Sequence, residues 1–103
     1  MDRARLTRTP TTPGEILRDE FLLPLDMSQK QLADHISQDV KVINRIVNGR
    51  SAVTAEVALK LAATFNTTPE FWLNAQKAVD LFAARSKLRR LPKPLIPGRR
   101  PAA

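Results

Sequence analysis

Lys41 and Arg45 stand four residues apart in the run VKVINRIV, and on a helix that spacing puts two cationic donors one turn apart on the same side. An arginine so placed can bond guanine bidentately, and a lysine can reach a base edge or a phosphate. Ile43, Ile46 and Val47 are spaced to face inward, which leaves Lys41, Asn44, Arg45 and Asn48 pointing elsewhere. Such a set does hydrogen-bonding chemistry on a polyanionic groove and makes or breaks no covalent bond. Gln29 joins it from the start of the preceding helix, where backbone N–H groups and its own amide can grip a phosphate or an adjacent base.

The neighbours of these residues divide by role. Asn44, Asn48, Arg50 and Ser51 follow or flank the cationic helix, where polar groups hold phosphates and set the helix angle without reading sequence. Val40 has two readings, a core residue or an apolar contact for a thymine methyl group. Asp39 would repel a phosphate unless it accepts from a cytosine amino group or caps the cationic helix, and capping is the more ordinary role. His35 is expected to be structural. Asp19 and Glu20 are adjacent acids that point about 100° apart on a helix and have no nucleophile or metal cluster beside them, so no catalysis is assigned.

Positioning these side chains takes helices, and the punctuation for them is legible. Thr12, Pro13 and Glu15 form a capping box with proline at the first helical position, and Ile16, Leu17, Phe21 and Leu23 follow at helical spacing until Pro24. Ser28 and Gln31 form a second capping box before a helix of about two turns that faces inward through Leu32, Ala33 and Ile36. A brief turn near Ser37 leads to a third helix from Asp39 to Val47, ended by Asn48 and Gly49. Thr54 caps a fourth, with Val57, Ala58, Leu61, Ala62 and Phe65 inward and Asn66 as a left-handed end. Thr68 and Pro69 open a fifth that fades near the basic tail. Two short helices around a tight turn, the second with an apolar stripe and a polar face, are the helix-turn-helix layout, whose second helix fits a groove about 12 Å wide.

Composition bounds the rest. In 103 residues there is no cysteine and one histidine, which leaves no disulfide framework and no metal site, and no cofactor is expected. No run approaches the roughly 20 apolar residues that cross a bilayer, and the N-terminus lacks the apolar stretch of a secretion signal, so the expected setting is cytoplasmic, with no membrane. The net charge of +7 is uneven: seven of the 17 cations (Arg85, Lys87, Arg89, Arg90, Lys93, Arg99, Arg100) lie after residue 84, whereas all ten acids lie before residue 85. The body is formally neutral and the tail carries the excess.

The stretches TPGEILRDEFLLPL, MSQKQLA, INRIVNGRSAVTAEVALKLAATF and TTPEFWLNAQKAVDL resemble the HigA-type antitoxins, a branch of the Xre/lambda-repressor-like helix-turn-helix proteins. The resemblance covers Thr12 to Leu81, and TPEFWLN with the helix after it is its most diagnostic piece. It implies operator DNA as one partner, a HigB-type toxin (a small RelE-like ribonuclease that cuts mRNA) as the other, and repression of the protein's own operon. The chain departs from the family at the turn: Ser37 and Gln38 stand where a glycine and an aliphatic residue are usual. A non-glycine residue at positive φ there costs roughly 1 kcal/mol, and Gln38 is expected to leave the core with Val40 or Val42 in its place.

The expected fold class is all-α: a five-helix lambda-repressor-like helix-turn-helix domain. Residues 1–11 are a flexible N-terminal arm bearing Arg3, Arg5 and Arg8; residues 12–84 are the DNA-binding domain of cro/C1 type with a C-terminal dimerisation helix; residues 85–103 are a basic, Pro-rich, disordered tail. That tail is a solvated segment on the plain reading, and an aid to nonspecific DNA attraction or a segment that orders on a partner otherwise. Phe71, Trp72, Ala75, Ala78, Val79 and Phe82 span about 120° of the fifth helix, which is more apolar surface than one small body covers. Trp72, with Phe71 and Phe82, is most simply core, but the excess apolar surface also puts Trp72, Ala75, Val79 and Phe82 at an expected homodimer contact, with two recognition helices about 34 Å apart on a palindromic site. Two rival readings are a freestanding phage-like repressor with no toxin and a protein-interaction module that has lost DNA binding.

Overall fold

The computed structural model describes residues 9–96. Arg3, Arg5 and Arg8 of the arm, and Arg99 and Arg100 of the tail, lie outside the described residues. The chain forms α1 (Pro13–Ile16 in α geometry, continuing through Leu17–Leu22 in π geometry), α2 (Gln29–His35), α3 (Val40–Val47), α4 (Ala55–Phe65) and α5 (Pro69–Lys87), with no strand among the described residues.

The caps are those the sequence announces. Thr12 Oγ1 accepts from the Glu15 N–H at 3.1 Å while Glu15 Oε1 accepts from the Thr12 N–H at 2.9 Å, and Ser28 and Gln31 repeat the exchange at 3.0 and 2.8 Å. Asp39 Oδ1 accepts from the Lys41 N–H at 2.9 Å, so its carboxylate is spent as a cap. Asn66 ends α4 at φ 56°. Gly49, at φ 71°, ends α3, and the Arg50 N–H turns back to the Arg45 carbonyl at 2.8 Å.

The π stretch alters one expectation. Residues five apart share a face there, so Leu17 and Leu22 are both buried, whereas Leu23, which regular helical spacing places inward, is 67% exposed. The Leu23 N–H reaches the Arg18 carbonyl at 2.9 Å, and Pro24, with no N–H, adds nothing further.

Leu17, Leu32, Ile43 and Leu61 fill the centre of the core together with Trp72. The Trp72 indole packs 5.4 Å from Phe21 and 5.1 Å from Phe71, and its Nε1–H donates to Thr67 Oγ1 at 2.8 Å. Phe21 in turn stacks on Phe65 at 4.7 Å, joining α1 to the end of α4.

Candidate nucleic-acid interface

α3 is held in place from three sides. Ile43, Ile46 and Val47 are buried in the core, with Val40 and Val42 packed half-buried at its edge. Ser37 takes φ 55° in the turn, and Gln38 is half-buried with its amide donating to Glu56 Oε2 at 3.1 Å, while Val40 and Val42 pack, likewise half-buried, against the core. On the third side α1 touches α3 through backbone: a Cβ at Gly14 would fall on the Ile46 carbonyl oxygen and 2.8 Å from the Val47 Cα. Only glycine permits that approach.

The burial of one side of α3 leaves the other in solvent. Lys41, Asn44, Arg45 and Asn48 are exposed, as is Arg50 beyond the helix, and Ser51 is half-buried. Lys41, Asn44, Arg45, Arg50 and Ser51 line one open hollow of about 430 Å³. Gln29 comes to it from α2, where its Oε1 accepts from Asn44 Nδ2 at 3.2 Å; Asn44 Oδ1 accepts from Asn48 Nδ2 at 3.3 Å. An amide chain thus runs from the start of α2 to the end of α3. Of the expected set, Gln29, Val40 and Asn48 do not line the hollow: Gln29 and Asn48 join it through Asn44, whereas the Val40 side chain packs on the core edge.

The charge at this surface is uncompensated. Among the described residues the ion pairs are Arg18–Asp19 at 2.7 Å, Lys30–Asp34 at 2.7 Å and Lys60–Glu56 at 3.2 Å, and none involves Lys41, Arg45 or Arg50. Arg18 donates to both Asp19 oxygens, and these hydrogen bonds raise the guanidinium pKa and hold the Asp19 carboxyl below its ordinary range. Three unpaired cations with an ordered line of amides between them can bind phosphates and offer donors to base edges.

The other expected site, on α5, is divided. Ala75, Val79 and Phe82 are half-buried, and Phe71, 39% exposed, and Ala78 extend the stripe of Ala75 and Phe82 outward at helical spacing. Val79 also lines a hollow of about 240 Å³ beside Gly14 and Gln76. Trp72 is corrected: its side chain is 0% exposed within one chain, because the indole is the centre on which Phe21 and Phe71 pack, and it cannot form part of an outer face. Sequence reasoning passed over Gly14, whose need for a bare Cα comes from a residue distant in the chain, and Gln76, whose Oε1 accepts from the Val53 N–H at 3.0 Å and ties the loop after α3 to α5. A lone glycine inside a capped helix was the available signal for the first.

Among the described residues no helix is long and apolar enough to cross a membrane. The family model for Helix-turn-helix, HTH_3, matches residues 19–72. An HTH-type transcriptional regulator of Haemophilus influenzae is 48% identical over 77 residues, spanning 75% of this chain and 72% of that protein. Antitoxin HigA-1 of Vibrio cholerae is 44% identical over 80 residues, spanning 78% of this chain and 75% of that one. The Pseudomonas aeruginosa antitoxin HigA, solved with the higBA promoter, superposes with a TM-score of 0.76 at 36% identity, covering 84% of this chain and 99% of that chain.

Proposed function

Because the chain belongs to the HTH_3 helix-turn-helix family, and its relatives include HigA antitoxins, we propose that it is a HigA-type antitoxin that represses its own operon and neutralises a HigB-type, mRNA-cleaving toxin in the cytoplasm. The observation that carries the DNA-binding part is the exposed side of α3: Lys41, Arg45 and Arg50 free of ion pairs among the described residues, on a helix whose opposite side is buried. Lys41 and Arg45 reach base edges, while Gln29, Asn44, Asn48, Arg50 and Ser51 grip phosphates and fix the angle of α3. Val40 serves the core edge first, and a thymine contact would be its second role. The buried seat of α3, kept despite Ser37 and Gln38, weighs against a scaffold that has lost DNA binding.

The protein acts as a homodimer through the outer stripe of α5, with Ala75, Val79 and Phe82 at the contact and Trp72 beneath it as support. Two copies of α3 about 34 Å apart then meet successive major grooves of a palindromic operator.

The test is a binding titration of the full chain with duplex DNA from immediately upstream of its own gene and with a scrambled duplex of equal composition. At least a tenfold preference for the first is expected; equal affinity would overturn operator recognition. The relatives described as HTH-type transcriptional regulators favour a second reading, a freestanding repressor. Co-expression with the adjacent gene separates the two: a stable complex in which the partner's mRNA cleavage is blocked supports the antitoxin, and separate elution supports the repressor alone.

A further inference from the structure

Beyond α3, the densest positive charge in the described chain starts where α5 ends. Arg85 and Lys87 occupy the last turn of α5, and Arg89, Arg90 and Lys93 come next on chain that forms no helix. All five are exposed, and none is in an ion pair among the described residues. The last acid in the sequence is Asp80, so no local carboxylate answers them. Arg85 and Lys87 have a local role at the negative end of the helix dipole. Arg89, Arg90 and Lys93 have none, and their accumulation leaves a run of like charge that attracts polyanions.

The backbone suits a linear polyanion. Leu88 closes α5 at φ −84° and ψ 115°, and Pro92 and Pro94 keep the segment beyond it out of a helix. An extended chain rises about 3.3 Å per residue and so spreads its side chains along a line, as the phosphates of a nucleic-acid strand are spread. Side chains on such a chain can track a strand without fixed geometry.

We infer that Arg85–Lys93 is a second DNA-contacting element, which binds the phosphate backbone without regard to sequence while α3 selects the site. The inference rests on the DNA-binding function proposed for α3 and adds to it a separate source of affinity. Each neutralised phosphate contributes about 0.9 to the slope of log K against log salt, so five contacts contribute between about 4 and 5.

The test is a salt titration of the full chain and of the variant R85Q/K87Q/R89Q/R90Q/K93Q, on the upstream duplex and on the scrambled one. A second variant, R89Q/R90Q/K93Q, leaves the last turn of α5 intact and guards against a folding defect. The slope should flatten by at least 2 for the five-fold variant and by at least 1 for the three-fold variant, by the same amount on both duplexes. Flattening of less than this overturns the inference, and is also what a tail serving an acidic protein surface would give. A change in the preference between duplexes of more than tenfold overturns it as well, since the tail would then be reading sequence. If the wild type binds both duplexes equally, operator recognition fails while the slopes still decide the tail; if it binds neither, both fall.

Discussion

The cations of α3 and those beyond α5 are the same chemical groups under opposite constraint. Lys41 and Arg45 ride on a helix capped by Asp39, buried through Ile43, Ile46 and Val47, and pressed against the bare Cα of Gly14; Arg50 is tied back to Arg45 by its own N–H. Arg89, Arg90 and Lys93 have no helix beneath them and no buried neighbour in sequence. A donor held in one place discriminates, because the wrong base leaves it desolvated and unpaired. A donor on loose chain finds any phosphate and so adds attraction without choice. On the proposed reading, one small domain divides its work: rigidity for selection, slack for affinity.

Breaking the seat of the rigid region gives the largest effects. Trp72→Ala removes the centre on which Phe21 and Phe71 pack and should cost about 3–5 kcal/mol of stability, read as a lowered denaturant midpoint. An unchanged midpoint would mean that the aromatic cluster does not organise the core. Phe82→Asp tests the stripe through which two copies are proposed to act together. Sedimentation should shift from dimer to monomer at micromolar concentration, and loss of the second half-site should weaken operator binding by about 10²- to 10⁴-fold. A wild-type monomer under the same conditions would rule out the dimer. Gly14→Ala sets a Cβ against the Ile46 carbonyl and should cost about 1–3 kcal/mol as α1 and α3 separate. The same variant should lose operator preference while the salt slope set by the tail persists, which no purely local change in α1 would produce.

The sequence is easiest to read where structure is local. Both capping boxes, the Asn66 end of α4 and the inward stripe of α3 all depend on residues within a turn of one another, and each stands as expected. The Leu22-for-Leu23 exchange was not legible, since a π stretch alters the period on which spacing arguments rest. Trp72 shows a related limit: an arc of apolar residues drawn around a helix does not say which edge meets the core and which meets solvent. Gly14 against Ile46, Gln29 with Asn44, and Val53 with Gln76 are contacts between segments far apart in the chain, and they need the fold before they can be seen. Which side chains lie on the exposed side of α3 was legible in the sequence; the amide line that joins them to Gln29 was not.

If the exposed side of α3 selects the DNA site, Arg45→Ala is the substitution that shows it most directly. The Arg45 side chain is in solvent, so the unfolding midpoint should stay at the wild-type value. Affinity for the upstream duplex should fall by about 1–3 kcal/mol with preference relaxed at one base pair, while affinity for the scrambled duplex changes far less. Unchanged affinity together with unchanged preference at every base pair of the site would mean that α3 does not read it.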